Sequence, residues 1–142
     1  TISGPRGSLE GVRILGPVRS QTQVEVSRTD AFKLGVAAPV RESGSLKDSP
    51  GVTIKGPKGT VELKEGCILA KRHIHMTPAD AEEYGCRDGE IVSIEISKGE
   101  RRTVFGDVVV RVSPKFALEC HVDTDEANAA LISNGDTVRL LK

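Results

Sequence analysis

The chain has 142 residues, enough for one domain or two small ones, and its 20 basic side chains balance 20 acidic ones. That balance offers no general field for nucleic acid or an anionic membrane, and no run approaches the ~18 apolar residues of a membrane span. Apolar residues make up 37% of the chain, aromatics only 3% and Trp none, so Val, Ile, Leu and Ala must build the core.

The opening run, Thr1-Ile2-Ser3-Gly4-Pro5-Arg6-Gly7, has no initiator Met and no charged-then-apolar signal region. It begins directly in strand-like sequence, which reads as a fragment or a processed form. Short alternating segments follow as predicted strands: Val12 to Leu15, Gln23 to Val26, Val61 to Leu63, Ile68 to Ile74, Ile91 to Ile96, Val108 to Val112 and Thr137 to Leu141. Arg41 to Gly51 is a polar loop between turn signals. A boundary near Gly66 divides the chain into two related halves, 1–66 and 67–142. Many short strands and few helices predict a mainly β fold, built of small antiparallel β-barrels with short capping α-helices.

A unit recurs along the chain. With Glu25, His75 and His121 as registration points, a helix-capping residue comes two later: Ser27, Thr77 and Asp123. An acid comes three further on (Asp30, Asp80, Glu126), as in a capping box, although Asp reaches back less well than Glu. Pro78 follows Thr77 where proline opens helices, and Gly35 and Gly85 fall where short helices would end. Ile2 to Gly7 echoes Ile54 to Gly59. Asp88-Gly89 echoes Asn134-Gly135, and both pairs precede alternating strands as hairpin turns do.

The chemistry gathers at the registration points. His73 and His75 lie two residues apart in a predicted strand, so both leave the same face. His121 sits in a second strand-like run, Leu118 to Val122. Three imidazoles with a fourth position open suit a catalytic zinc better than a structural one. A lone histidine would more often be a satisfied core residue; the His-x-His spacing is what favours metal. Glu25 is a weaker candidate, since a carboxylate between Val24 and Val26 also suits a solvent-facing strand position. Arg19 and Arg72 are candidate anion clamps. An extended strand would hold Arg19 ~20 Å from Glu25 at ~3.3 Å per residue, so a shared pocket needs a bend at Ser20 to Thr22. Arg72 points away from the histidine face and suits a solvated charge. Asp123, Thr124 and Asp125 fit capping and support of the His121 ring equally well. Cys67, Cys86 and Cys120 are odd in number and never spaced Cys-x-x-Cys, which fits buried thiols in a reducing cytoplasm.

Three motifs, in order, carry a resemblance: Gly16-Pro17-Val18-Arg19 through Ala31, then Arg72-His73-Ile74-His75-Met76-Thr77-Pro78, then His121-Val122-Asp123-Thr124-Asp125-Glu126-Ala127. Together they resemble the PduL-type phosphate propanoyltransferases across essentially the whole chain. The resemblance implies two small, interleaved β-barrels and a zinc phosphotransacylase that interconverts acyl-CoA plus phosphate with acyl phosphate plus CoA. It implies zinc, one or two ions, with His73, His75 and His121 on one and Glu25 on the other, and a phosphate-binding role for Arg19. It also implies propanediol utilization and a location in the cytoplasm or inside a bacterial microcompartment. Family members carry an earlier His-x-His, and none precedes Glu25 here. The expectation is therefore a truncated chain, a separate polypeptide supplying that part, or a degenerate relative. A barrel of residues 67–142 lacking an N-terminal strand would leave an edge open to pairing, so the expected partners are a homo-oligomer or an N-terminal fragment. The rival readings are a zinc-dependent thioesterase, in which the metal activates water, and a non-catalytic fragment that pairs with another chain.

Overall fold

A computed structural model describes residues 1–142 as a mainly β protein with three short helices. The elements run β1 (Ile2–Ser3), β2 (Ser8–Leu9), β3 (Val24–Glu25), α1 (Arg28–Leu34), β4 (Val40–Arg41), β5 (Thr53–Gly56), β6 (Gly59–Glu62), β7 (Cys67–Ala70) and β8 (His73–Met76). They continue with α2 (Pro78–Glu83), β9 (Ile91–Ile96), β10 (Thr103–Val112), β11 (Glu119–His121), α3 (Thr124–Ala130) and β12 (Arg139–Leu141). No helix is long and apolar enough to cross a membrane. The chain divides into two compact units, Thr1–Ala70 and Lys71–Lys142.

The first unit holds two small sheets, β2-β1-β5-β6 and β3-β7-β4. The β5–β6 hairpin turns at Pro57-Lys58, with Gly56 paired to Gly59. Its core gathers Ile2, Val24, Val26, Ala31, Leu34 and Cys67. The run Ile68 to Ile74 is two strands, not one: β7 pairs with β3 and β4, and the chain leaves the ladder at Lys71-Arg72 before β8 begins. Val12 to Leu15 pairs with nothing, and Ile14 is 93% exposed. Alternation alone did not make it a strand, because no neighbouring edge takes up its backbone groups.

The second unit is one five-stranded sheet, ordered β11-β8-β10-β9-β12. Pairing is not antiparallel throughout. β8 and β10 run parallel, as do β3 with β7 and β4 with β7. A parallel pair needs a long crossover, and α2 with β9 supplies it between β8 and β10. One face of the sheet carries the core: Ile74, Met76, Ile94, Ile96, Val108 and Val110, all buried. Fully burying a side chain of this size contributes roughly 1.5–3 kcal/mol. A cavity of about 700 Å³ opens on Ile74, Met76 and Ile94, with Val122, Val138 and Leu140 in its wall. At β12, the buried Glu95 carboxylate accepts Arg102 Nε at 2.7 Å and pairs with Arg139, fastening that edge strand to β9.

The repeated helix starts are real. Ser27, Thr77 and Asp123 are the N-caps of α1, α2 and α3. Asp80 does reach back: Thr77 N–H donates to its carboxylate at 2.8 Å, and Asp80 N–H donates to Thr77 Oγ1 at 3.1 Å. Asp123 and Glu126 close the same reciprocal box. Gly35 ends α1 at φ 77°, a left-handed conformation that glycine adopts without a Cβ penalty.

Candidate metal centre

The site is built on the face of the second sheet opposite its core. Along β8 the burial alternates, so Ile74 and Met76 enter the core while His73 and His75 leave on the other side. β11 lies antiparallel to β8, with His121 across from His73 and Glu119 across from His75. β10 flanks β8 on its other side, with Val109 beside His73 and Arg111 beside His75. Two rows of side chains therefore cross the face: Val109, His73, His121, and next to it Arg111, His75, Glu119.

The three imidazoles converge. Ring centroids are 4.8 Å apart for His73–His75, 4.8 Å for His73–His121 and 4.7 Å for His75–His121. One ligand atom from each lies within 4.8 Å of the others. His73 Nδ1 is 2.8 Å from the Lys71 carbonyl oxygen. A carbonyl can only accept, so Nδ1 carries the proton and Nε2 keeps its lone pair for the site. His75 Nε2 is buried without a hydrogen-bond partner. A buried polar atom in that state is costly unless something binds it. His121 Nε2 is also buried from solvent, with Glu119 Oε2 3.4 Å away.

Burial and neighbouring charge keep His75 neutral. The proton affinity of His75 is pushed down to about 4, first by burial, then by the like charges that His121 and His73 would carry and by the Arg111 guanidinium; Glu119 opposes this. A neutral imidazole is the form that ligates metal. Donor type and convergence together suit a divalent transition ion.

The ring of Phe116, in the loop before β11, stacks on His75 at 4.0 Å between centroids and 12° between planes. This contact restricts the His75 rotamer. Phe116, Arg111 and Glu119 escaped the sequence reading. For Arg111 a signal existed: a charged residue between Val110 and Val112 has to face away from the core they enter.

Arg72 is committed elsewhere. Its Nε lies 2.6 Å from Glu126, its Nη1 donates to the Gly106 carbonyl at 2.5 Å, and its guanidinium sits over Phe105. Asp123 is occupied as the cap of α3. In the first unit Arg19, Ser20, Gln21, Gln23, Gly44 and Leu46 line a polar cavity of about 310 Å³. The chain bends at Ser20-Gln21, and Gln23 Nε2 donates to Glu25 Oε1 at 2.5 Å and to Ser43 Oγ at 2.9 Å. Gln23 thus orients the exposed Glu25 carboxylate beside the Arg19 cavity. The three cysteines are free, and burial pushes the thiols of Cys67 and Cys120 up to about 11 and raises that of Cys86.

A family model described as phosphate propanoyltransferase matches residues 1–133. The chain is 57% identical over 142 residues to the phosphate propanoyltransferase of Thermotoga maritima, covering all of this chain and 68% of that protein. It is 61% identical over 137 residues to the protein of that name from Priestia megaterium, covering 96% of this chain and 63% of the relative. With the Lachnoclostridium phytofermentans protein of the same name it shares 58% identity over 134 residues, 94% of this chain and 62% of the relative. The chain thus spans a little under or over two thirds of the length of these curated relatives.

Proposed function

This chain belongs to the phosphate propanoyltransferase family, and from that premise we propose that it interconverts a short-chain acyl-CoA plus inorganic phosphate with an acyl phosphate plus CoA. The observation that carries the reading is the convergence of His73, His75 and His121 on one sheet face, within 4.8 Å of one another. The relatives' shared name points to a propanoyl group; acetyl differs by one methylene, worth only ~1–3 kcal/mol in a pocket.

In this proposal a phosphate oxygen attacks the thioester carbonyl carbon, the C–O bond forms, the C–S bond breaks, and CoA leaves as its thiolate. Arg19 receives the phosphate through the planar fork of its guanidinium and offsets its charge. Alignment of phosphate and thioester supplies the entropic part of the acceleration. His73, His75 and His121 would hold one zinc ion, and Glu25, oriented by Gln23, would contribute to a second. When bound, zinc supplies Lewis-acid stabilisation of the developing oxyanion and affinity for the CoA sulfur. No protein nucleophile is needed, in keeping with buried, weakly acidic thiols. The free cysteines favour a reducing location, the cytoplasm or the interior of a bacterial microcompartment.

The deciding assay follows free thiol released from propanoyl-CoA. We expect release only with phosphate or arsenate present. Release at an equal rate in phosphate-free buffer would identify a thioesterase and sink the proposal.

A further inference from the structure

We propose that Arg72 is a positioning residue for the histidine cluster: through Glu126 it fastens the segment that carries His121 to the segment that carries His73. This rests on the metal-binding part of the reading above and adds a residue outside the three ligands. The need for a fastener arises at the edge of the sheet. β11 is three residues long and pairs with β8 alone. His121 is its last residue, so one short ladder sets its place across from His73. Strand ends held by few backbone bonds open readily. A second attachment beyond His121 is what keeps its ring 4.8 Å from that of His73.

The Glu126 carboxylate supplies that attachment with both oxygens. Oε2 accepts the N–H of Asp123, two residues past His121, at 3.0 Å. Oε1 lies 2.6 Å from Nε of Arg72, the residue before His73. The same guanidinium donates from Nη1 to the Gly106 carbonyl at 2.5 Å and lies over the Phe105 ring, 5.1 Å from its centroid. The Arg72 main chain grips that strand too, its carbonyl accepting the Val109 N–H at 3.0 Å. Gly106 and Asp107 form the irregularity in β10, where Asp107 adopts a left-handed φ of 53°. One side chain therefore joins the start of β8, the bulge of β10 and the first turn of α3. A planar fork can bond a carboxylate and a carbonyl while its face covers a ring; a lysine ammonium cannot. The pair is also shielded, with Arg72 27% exposed, whereas Arg102 and Arg139 on Glu95 are 69% and 70% exposed. Loss of either partner leaves the other's charge poorly solvated.

The purified full chain is compared with Arg72→Gln, Arg72→Lys, Glu126→Gln and the double variant Arg72→Gln/Glu126→Gln. Zinc affinity is measured by competition with a chromophoric chelator, and the visible absorption of the cobalt-loaded proteins reports the geometry of the ligand set. Glu126→Gln keeps the cap of α3, because Gln serves at that position of a capping box, and removes only the charge. We expect Arg72→Gln and Glu126→Gln each to weaken zinc binding about tenfold or more and to alter the cobalt spectrum, with Arg72→Lys between them and wild type. The double variant should be no worse than the weaker single one, as for two residues acting as one unit. Zinc affinity within about twofold of wild type in both single variants overturns the proposal, whatever happens to the urea midpoint, because a merely structural ion pair would lower that midpoint alone. Should Arg72→Gln fail to fold, Arg72→Lys and Glu126→Gln decide by the same threshold. Wild type that binds metal while the variants match it sinks the role of Arg72 only; wild type that binds neither zinc nor cobalt sinks the underlying metal reading as well.

Discussion

His121 faces His73 across the β11–β8 ladder with the two rings nearly parallel, 15° between planes. The pair is set by backbone pairing and not by a flexible loop, so the nitrogens are preorganised before any ion arrives. His75 completes the cluster from the same strand as His73. Replacing His75 with Ala should therefore weaken zinc binding by more than the ~10–100-fold typical of losing an outer hydrogen-bond partner of a ligand. Acyl transfer should fall with it. Metal analysis of the purified variant checks this, and full zinc content with full activity would remove His75 from the ligand set.

The depressed proton affinity of His75 makes a signed prediction for metal-free protein. Its folded value is about 4 against an ordinary 6.5. Between those limits the unfolded chain binds more protons at this position than the folded one, so unfolding is favoured as pH falls. The contribution of His75 is fully present above pH ~6.5, declines through the interval, and is gone below pH ~4. Urea titrations of zinc-free wild type across this range should show stability declining toward acid. His75→Gln, which cannot titrate, should show a shallower decline. Equal slopes would mean that His75 is not held neutral by the fold.

How much of this was legible beforehand depends on the range of the interactions. The caps at Ser27, Thr77 and Asp123 were readable because a capping bond spans three residues. His73 and His75 were readable because strand periodicity is local. The parallel pairing of β8 with β10 was not, since it depends on which edge the chain finds after α2 and β9. Phe116 and Glu119 were invisible for that reason, and the pattern around Arg111 showed only that it leaves the core: each of the three reaches His75 only through tertiary pairing or a loop. The false strand at Val12 to Leu15 shows the converse, a good local pattern with no edge to join. Gln23 stood only at the start of a predicted strand, yet its amide holds Glu25 in place.

Burial pushes the thiols of Cys67 and Cys120 up to about 11. At pH 8 the thiolate of each is then only ~0.1% of the population, and the thiolate is the reactive form. Iodoacetamide at pH 8 should label these two cysteines in the folded chain far more slowly than in urea, by mass spectrometry of peptides. Cys120→Ala should keep acyl transfer within about twofold, since direct phosphate attack uses no enzyme nucleophile. A large loss on Cys120→Ala, with zinc retained, would instead argue for an acyl-cysteine intermediate.

The third capped helix contains a local misfit that can be exploited. α1 ends on Gly35, but α3 ends on Leu131, which adopts the left-handed conformation at φ 55° with its side chain 56% exposed. A branched L-residue there is strained by roughly 1–2 kcal/mol relative to glycine, while glycine loses more chain entropy on folding. The Leu side chain contributes little burial to offset the strain. Leu131→Gly should therefore stabilise the chain by a net ~0.5–1 kcal/mol, read as a higher urea midpoint with an unchanged slope. Leu131 touches none of the three histidines, so zinc content and acyl transfer should stay at wild-type levels. A lower midpoint would show that its apolar contacts outweigh the backbone strain, and that α3 is held by packing at its C-terminal end more than by its cap.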